Sequence, residues 1–408
     1  MKKQELNLDK SAWTTVKFGD VVFEPKESSK DPVADGIDKV VGLEHIESEN
    51  IHLRNFASIE EGTTFTKRFS EGDVLFGRRR AYLKKVALAS FEGICSGDIT
   101  VFRAKVDVIL PSLLPFVVQN EKFYDYAIKH SAGGLSPRVK FKDLANYEFL
   151  LPPKDQQAQL AELLWSMDEV VEREKEVLGK LNTTILSNRK YFIERGVTQV
   201  EDSKRLRFGK ICWTWEIAKI SDVCKIISGN AFKSSNFKQD GQFQVLRIGN
   251  ITYDGFNVNK APVFISEISQ KESSYLIPKG AIVLSLTGTN GKRDYGYPSF
   301  MFDHKKYLLN QRLVMLISNS SVLLPEFLHL VSKMEFFQSC FFLNATGTAN
   351  QANVSTMDVA EIEIPIPPLK EQSHIIRKVA SIRNSISDGK CKIEKSKALQ
   401  KSLINQIF

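Results

Sequence analysis

Apolar residues recur at alternate steps of four and three along two long stretches of the chain. The first stretch begins at Leu160 and the second at Ile375. This strict alternation is the heptad pattern of a coiled coil, because it keeps a narrow apolar seam along one side of a helix. We therefore predict helices over 154–195 and 369–408, with a seam of Leu160, Leu164, Met167, Val171, Leu178, Leu181 and Ile185 in the first and Ile375, Val379, Ile382, Ile386, Ile393 and Leu403 in the second.

Neither helix can bury its seam alone, so the favoured interpretation is that the two pair as an antiparallel coiled coil. About 40 residues at 1.5 Å each give a rod ~60 Å long. The alternative is that each helix lies on its own globular domain, although such stripes are usually wider and drift from a strict heptad. Polar residues that interrupt the seam either fix its register or form a binding notch; they are Glu174, Asn188, Ser396 and Gln400, together with Gly389.

A shared motif precedes both helices. FLLPPKDQQ occupies 149–157, and IPIPPLKEQ occupies 364–372. Pro-Pro followed by polar residues marks a helix start, since proline fits the first turn of a helix but not its interior. Two further matches extend the repeat, WTTVKFGDV with WEIAKISDV and FSEGDVLFG with LIPKGAIVLS. The chain is therefore an internal duplication.

Each repeat has a globular segment before its long helix. Short β-branched and aromatic runs, such as GDVLFG, GDITVFRA, QVLRIGNI, GAIVLSL and QRLVMLIS, are typical of strands. One helix is predicted in each half, within 110–134 and within 323–347. The predicted fold class is mixed α/β (α+β). The predicted organisation is a domain over 1–153, the central helix 154–195, a linker 196–212, a second domain over 213–368 and the distal helix 369–408.

The net charge of +8 is concentrated in the last helix, where 369–408 carries nine basic and three acidic residues. That excess is a solvated helix face, a contact for a DNA backbone or a contact for an acidic protein. No apolar run is long enough for a membrane span and no secretory leader is visible, so a cytoplasmic protein is expected.

Motifs for catalysis are missing from the sequence. The five cysteines show no CxxC spacing and the six histidines no HExxH pattern, so no disulfide framework or metal site is expected. GTNGKRD does not have the form of a phosphate-binding P-loop, and no GxGxxG or NPPY-like motif is present. DVVFEPK, over Asp20–Lys26, has the acid-then-ExK order of some nucleases, but such a match arises easily by chance. The chain is predicted to recognise a target and not to act on it.

Two loops at equivalent places in the repeat are the main candidates for recognition. In the first half, GRRRAYLKK follows a predicted strand, and arginine and lysine suit DNA bases and phosphates. The alternative is a solvated basic edge. The matching LTGTNGKRDYG carries different donors and acceptors, which implies a different target. The candidates are Arg78, Arg79, Arg80, Tyr82, Lys84 and Lys85 in the first half, and Thr287, Thr289, Asn290, Lys292 and Arg293 in the second.

A second pair of loops precedes the long helices, GGLSPRVK in the first half and GTANQANVS in the second. Their amide, hydroxyl and basic groups suit base edges or phosphates, although turn-forming and capping sequences look the same. SGNAFKSSNFK is a third polar loop. The candidates here are Arg138, Lys140, Gln351, Asn353 and Lys233.

Two variable α/β halves, each closed by apolar-Pro-Pro-x-x-[EQ]-Q at the start of a long helix, resemble the specificity subunit of type I restriction-modification systems. The resemblance covers essentially the whole chain and rests on LPPKDQQ and IPPLKEQ, with support from GDVLFG and KGAIVLS. The first copy has Asp-Gln-Gln where Glu-Gln is usual.

The resemblance implies that each half is a target recognition domain for one part of a bipartite, asymmetric sequence in double-stranded DNA. It also implies that the helices set the spacing and dock two modification subunits, which bind S-adenosylmethionine and methylate adenine. Restriction subunits would add an ATP- and magnesium-dependent nuclease. No cofactor, metal or catalytic residue is expected on this chain itself. A coiled-coil scaffold for proteins is the alternative function, and an autonomous nuclease or methyltransferase is a third.

Overall fold

The computed structural model describes residues 8–196, 202–206, 209–253, 255–289, 292–343, 345–348 and 351–408. These residues form two compact units. The first contains the described residues up to Val177 together with Gly389–Phe408, and the second contains those of Leu178–Asp388. Each unit thus includes about half of each long helix. Within the described ranges, no helix combines the length and apolarity that crossing a membrane requires.

The first unit is built on two four-stranded sheets. One is antiparallel, in the order Val22–Phe23, Ile99–Ala104, Val74–Gly77, Val86–Leu88. The other has the order Ala57–Ser58, Lys39–Val41, Gly93–Cys95, Lys67–Phe69, and its two central strands are parallel. Thr14–Lys17 pairs with Glu148–Leu151 and brings the start of the globular segment to the strand that precedes the long helix.

The second unit repeats this plan. Its antiparallel sheet has the order Cys224–Ser228, Leu313–Ser318, Ile282–Ser285, Ser299–Phe300. Its partly parallel sheet has the order Phe264–Ile265, Phe243–Leu246, Tyr307–Leu309. Glu216–Lys219 pairs with Glu363–Ile366 as the closing pair. The smaller sheets are Thr287–Gly288, Gln351–Asn353, Thr346–Thr348; Ile251–Thr252 with Gly255–Phe256; and Ser203–Leu206 with Gly209–Cys212. The duplication seen in the sequence is therefore a duplication of topology.

The helices of the globular parts are short. In the first unit they are Phe18–Val21, Leu114–Gln119, Glu121–Lys129 and Phe141–Leu144, with 3-10 turns at Leu43–His45, Ile59–Glu61 and Ala81–Leu83. In the second unit they are Ile220–Val223, Pro325–Ser332, Glu335–Leu343 and Thr356–Ala360, with 3-10 turns at Ser234–Asn236, Ile248–Asn250 and Glu272–Tyr275.

The single helix predicted in each half is in fact two helices. In the first unit, the buried Asn120 has extended backbone angles and its side chain accepts a hydrogen bond from the Lys122 amide, so it ends one helix and caps the next. In the second unit the break falls at Lys333 and Met334. The sequence pattern missed both breaks because the apolar period continues across them.

The segment 196–212, predicted as a linker, has structure in its described part. Ser203–Leu206 and Gly209–Cys212 form an antiparallel pair, and Ile211 and Cys212 are fully buried in the core of the second unit. Gly196, which follows the first long helix, has a φ of +68° and its amide donates to Phe192 O. That left-handed residue is the usual glycine ending of a helix.

The two long helices span Lys154–Arg195 and Leu369–Ile407 and run antiparallel in each unit. In the first unit, Glu174 Oε1 lies 3.2 Å from Lys392 Nζ and forms an ion pair whose geometry is not that of a hydrogen bond. Gln400 Nε2 donates a hydrogen bond to Asp168 Oδ1. In the second unit, a Cβ added to Gly196 would lie 2.6 Å from Glu371 Oε1. Polar groups near the seam therefore pair across it, which favours a role in fixing the register.

The seam faces inward along both helices. Leu160, Leu164, Val171, Ile185, Ile375, Val379, Ile393 and Leu403 are buried, and Met167, Leu178, Leu181, Ile382 and Ile386 are half-buried. The seam also joins the domain cores: Leu160, Leu164 and Leu403 belong to the apolar cluster of the first unit, and Ile185, Ile375 and Val379 to that of the second. One stripe thus serves both the partner helix and the globular core.

A buried glutamine explains the motif that precedes each helix. Gln157 Oε1 accepts from the Leu110 amide, and its Nε2 donates to Val108 O and Pro152 O at 2.8, 3.1 and 2.9 Å respectively. Gln372 repeats the arrangement on Leu324 N, Val322 O and Pro367 O, each at 2.8 Å. Gln157 and Gln372 are 1% and 0% exposed, so these bonds satisfy polar groups that water cannot reach.

The residue before each buried glutamine, Gln156 or Glu371, accepts a hydrogen bond from a tryptophan side chain. Trp13 Nε1 donates to Gln156 Oε1 at 2.8 Å, and Trp215 Nε1 donates to Glu371 Oε2 at 3.0 Å. Both indoles lie at the start of their globular segment, beside the closing strand pair. The [EQ]-Q pair therefore fastens two separate parts of the globular segment to the first turn of the helix.

We expect Gln157→Leu to lower the free energy of unfolding by about 3 kcal/mol, because it leaves a buried amide and two carbonyls without partners. Gln159→Leu, at an exposed position of the same helix turn, should change it by less than about 0.5 kcal/mol. Urea denaturation of the two variants measures the difference. Equal effects would show that the side-chain hydrogen bonds do not hold this junction.

Candidate nucleic-acid interface

The two loops predicted in the first unit lie side by side. Arg79 and Arg138 form an antiparallel backbone bridge, the Val139 amide donates to Arg78 O at 3.1 Å, and the Arg80 amide donates to Pro137 O at 2.8 Å. Arg138 is in turn bridged to Ala132 across its own loop. GRRR and GGLSPRV are therefore one continuous surface.

Asp98 is the centre of this surface, and the sequence did not point to it. It ends the turn between Gly93–Cys95 and Ile99–Ala104, and its carbonyl accepts from the Arg78 amide at 3.0 Å. Its carboxylate lies 3.2 Å from Arg79 Nη1 and 2.7 Å from Arg138 Nε. The hydrogen bond from Arg138 lowers the pKa of the Asp98 carboxyl below its ordinary value; partial burial opposes this shift, and the hydrogen bond from Arg79 adds to it.

Ser136 completes the arginine cluster. Its hydroxyl accepts from Arg79 Nη2 at 3.0 Å and from Arg80 Nη2 at 3.3 Å. Arg78 is directed elsewhere, since its Nε donates to Val139 O. Arg80 is exposed and has a φ of +54°, a left-handed conformation that is uncommon for a residue with a side chain. Arg79, Arg80 and Arg138 thus present fixed guanidinium groups at the surface.

The rest of the basic run has other surroundings. Lys84 Nζ lies 2.5 Å from Glu121 Oε2, and Lys85 Nζ donates to Leu43 O at 2.6 Å, so both lysines bind parts of their own unit. Tyr82 is 52% exposed, and Lys140 is exposed at the start of Phe141–Leu144. The structure separates these side chains from the guanidinium cluster that their sequence neighbours form.

The second unit joins its two loops in the same way. Thr287 pairs with Asn353, and the Val354 amide donates to Leu286 O at 2.8 Å. The Leu286 amide donates to Arg312 O, also at 2.8 Å. Each of these backbone contacts has its counterpart in the first unit, which makes Thr287 equivalent to Arg79, Asn353 to Arg138 and Arg312 to Asp98.

We call these three equivalent positions the loop triad: Arg79, Asp98 and Arg138 in the first unit, and Thr287, Arg312 and Asn353 in the second. The backbone that carries the triad is shared, but its residue types differ: two arginines and an aspartate in the first unit, and an arginine, a threonine and an asparagine in the second. The internal repeat in the sequence predicted four of these residues, namely Arg79, Arg138, Thr287 and Asn353. Asp98 and Arg312 were missed because each lies in a turn between two strands, far along the chain from the loops.

The remaining candidates of the second unit are less closely grouped. The Thr289 amide and hydroxyl both donate to Asp294, and Arg293, with a φ of +50°, lies over the Phe342 ring. Lys292 is exposed. Gln351 is exposed in the strand of Asn353, whereas Lys233 is exposed beside the turn Ser234–Asn236. Asn290 lies outside the described residues.

Two groups of acidic residues lie outside the loop triad. Glu24 of the DVVFEPK motif pairs with Lys67, and Asp20 accepts from the Lys17 amide. His52, Asp168 and Glu172 lie close enough to share a metal ion. However, His52 Nε2 is 2.6 Å from Asp168 Oδ2, and Arg54 and Lys175 both bind Glu172. His52 and Arg54 therefore connect the globular part of the first unit to Asp168 and Glu172 of its long helix.

Comparison with known proteins gives matches over nearly the whole chain. The model of the family described as type I restriction modification DNA specificity domain matches residues 10–183 and again residues 213–395. The MjaVIII specificity subunit of a type I restriction enzyme from Methanocaldococcus jannaschii is 25% identical over 335 residues, which are 79% of this chain and 77% of that protein.

Solved structures share the fold. One is a chain from a type I R-M system, solved to describe complex assembly and conformational transition. It matches with a TM-score of 0.62 at 19% identity, and the match covers 97% of this chain and 96% of that chain. The HsdS subunit from Thermoanaerobacter tengcongensis has a TM-score of 0.50 at 19% identity, over 100% of this chain and 99% of its own.

We expect Asp98→Asn to strengthen binding of a polyanion, because it releases Arg79 and Arg138 from a shared counter-charge. A heparin column should retain the variant to a higher salt concentration than the parent chain. Asp107→Asn adds the same charge at an exposed acid of the same unit and should have a smaller effect. Equal retention of both variants would mean that only net charge matters.

Proposed function

Because the chain belongs to the family of type I restriction-modification DNA specificity domains, as a specificity subunit with two recognition domains, we propose that each unit reads one half of a bipartite, asymmetric DNA target. The observation that carries this proposal is the loop triad. One backbone frame presents Arg79 and Arg138 as the reading residues of the first unit and Thr287 and Asn353 as those of the second, and the other triad position, Asp98 or Arg312, supplies the charge beside them. Two domains that share a backbone arrangement but carry different side chains at the triad are expected to recognise two different half-sites.

The chemistry of the triad suggests what each half reads. Arginine pairs with guanine through two hydrogen bonds, and asparagine pairs with adenine in the same manner. Asp98 orients the guanidinium groups of both Arg79 and Arg138 before DNA arrives, and Ser136 also holds that of Arg79, which reduces the entropy lost on binding. We therefore expect guanine in the half-site of the first unit and adenine in that of the second.

The long helices have a separate proposed role as a spacer. A helix of 42 residues is about 63 Å long, so paired helices can hold two readers on one duplex with non-contacted base pairs between them. The same helices would dock two modification subunits that bind S-adenosylmethionine. Restriction subunits that use ATP and magnesium would join the complex. These partner roles rest on the family, and the chain would direct where its partners act.

The first experiment is methylome sequencing of cells with this gene intact or deleted, with neighbouring genes untouched. Loss of one split, asymmetric methyladenine motif on deletion supports the proposal and reveals both half-sites. An unchanged methylome, with the neighbouring methyltransferase expressed, favours the protein-scaffold alternative. Partner capture with the full chain would then follow.

Alanine in place of Arg79 and Arg138 should relax or abolish methylation at one half-site and leave the other half-site intact. The matched variant is Thr287→Val with Asn353→Ala, which should affect the opposite half-site. Methylome sequencing of both strains reads out each base position separately. If both variants weakened both half-sites equally, the triad would be a general backbone contact.

Removal of one facing heptad from each helix, 178–184 and 382–388, should shorten the gap in the methylated motif by about three base pairs. Seven residues at 1.5 Å are about 10.5 Å, and base pairs are 3.4 Å apart. The length-preserving control replaces the exposed residues of the same heptads with alanine. A shortened rod with an unchanged gap would contradict the spacer role but leave half-site reading intact.

A further inference from the structure

The second unit contains a cleft lined by basic residues. It is lined by Arg247, Lys260, Ala261, Asn310, Gln311 and Arg312, among others, and has a volume of about 480 Å³. Within the part of the chain that the structure describes, three cations and no carboxylate line it. Uncompensated positive charge in a concave site attracts an anion.

The cleft is built, and each wall is held by its own hydrogen bonds. Asn250 is 2% exposed and its side chain donates to Asn257 O and Lys260 O at 3.0 and 2.9 Å. It also accepts from the Arg247 amide, and Arg247 Nη2 donates to Ala261 O at 2.7 Å. Arg247 is therefore oriented before any ligand arrives.

The opposite wall is the turn of Asn310, Gln311 and Arg312. The Gln311 amide donates to Asn230 O at 2.8 Å, and a Cβ on Gly229 would lie 1.9 Å from Asn310 O. Only glycine permits this approach. Arg312 is exposed with a φ of +67°, and among the described residues its side chain has no hydrogen bond or ion pair. An arginine kept in a disfavoured conformation without a partner of its own is a functional candidate.

The fold does not require these cations. The first unit has the same walls, with the Ser96 amide donating to Val41 O where the Asn310 amide donates to Leu246 O. There the Gly42 amide donates to His45 Nδ1, as the Arg247 amide does to Asn250 Oδ1. Gly42 thus stands at the position of Arg247, and Asp98 at that of Arg312. At these two positions the first unit therefore has no cation, whereas the second has two.

We propose that this cleft binds a backbone phosphate of the DNA strand next to the bases read by Thr287 and Asn353. Arginine is suited to phosphate because its guanidinium offers paired, permanently charged donors. The cleft is next to those residues, since Arg312 O accepts from the amide of Leu286, which precedes Thr287. The inference rests on the proposed function and adds to it a contact that fixes position and not sequence.

The test is equilibrium binding of the full chain, in complex with its modification subunits, to a duplex carrying its motif and to an unrelated duplex of equal length. Arg312→Asn removes the charge with a residue that tolerates the left-handed conformation, and Arg247→Gln keeps a donor for Ala261 O. Each substitution should lower the affinity for both duplexes equally, by about fivefold near 0.15 M salt for one lost phosphate contact. The slope of log affinity against log salt should shrink by about 0.9 per variant, with the methylated motif unchanged.

Lys225→Gln is the charge-matched control. It removes an exposed cation from the strand Cys224–Ser228. Lys225 lies opposite Ile317 in the sheet, near the end of Leu313–Ser318 that is remote from Arg312, so the affinity and the salt slope should not change. Unchanged binding in both arginine variants would overturn the proposal. A loss confined to the motif duplex, or a relaxed base in the methylome, would also overturn it, because the cleft would then read bases. Failure of the parent complex to prefer its own motif would instead contradict the proposed function.

Discussion

The buried glutamine at the start of each long helix is the contact on which the arrangement of each unit depends. A side-chain amide offers both donors and an acceptor, so a single residue can satisfy a carbonyl of the preceding Pro-Pro segment and two backbone groups of a distant loop. No apolar residue of that size could do this without leaving the groups unpaired. The neighbouring tryptophan bond fastens the start of the globular segment to the same helix turn, so the helix leaves each unit from a fixed frame.

The same frame supports two surfaces of different chemistry. The strands and backbone hydrogen bonds that join the loops are repeated contact by contact, while the side chains at the loop triad are not. Exposed loop positions contribute little to the core, so their residues can vary without loss of the fold. The first unit uses an internal acid to orient its cations, and the second leaves its cations free of acids in the cleft. The two units therefore differ in how they prepare charge for a ligand.

Much of this organisation follows from residue patterns. The heptads predicted both helices, the Pro-Pro motif located their first turns, and the strands read from Val, Ile and Leu runs are present. Charge density alone was a weaker guide, because it grouped Lys84 and Lys85 with the arginines although Lys84 is ion-paired with Glu121 and Lys85 donates to the Leu43 carbonyl. Asp98, Arg247 and Arg312 could not be found from sequence, since only strand pairing brings their turns beside the loops. Asn120 likewise split a predicted helix through one buried side-chain contact.

The glutamine junctions carry no net charge, whereas the loops and the basic cleft depend on charge. Dissolved salt weakens exposed Coulombic attraction over distances near 10 Å but has little effect on buried amide hydrogen bonds. Gln157 and Gln372 lie where ions do not reach. A change in ionic strength therefore alters the affinity for a charged target but leaves the folded arrangement of each unit intact.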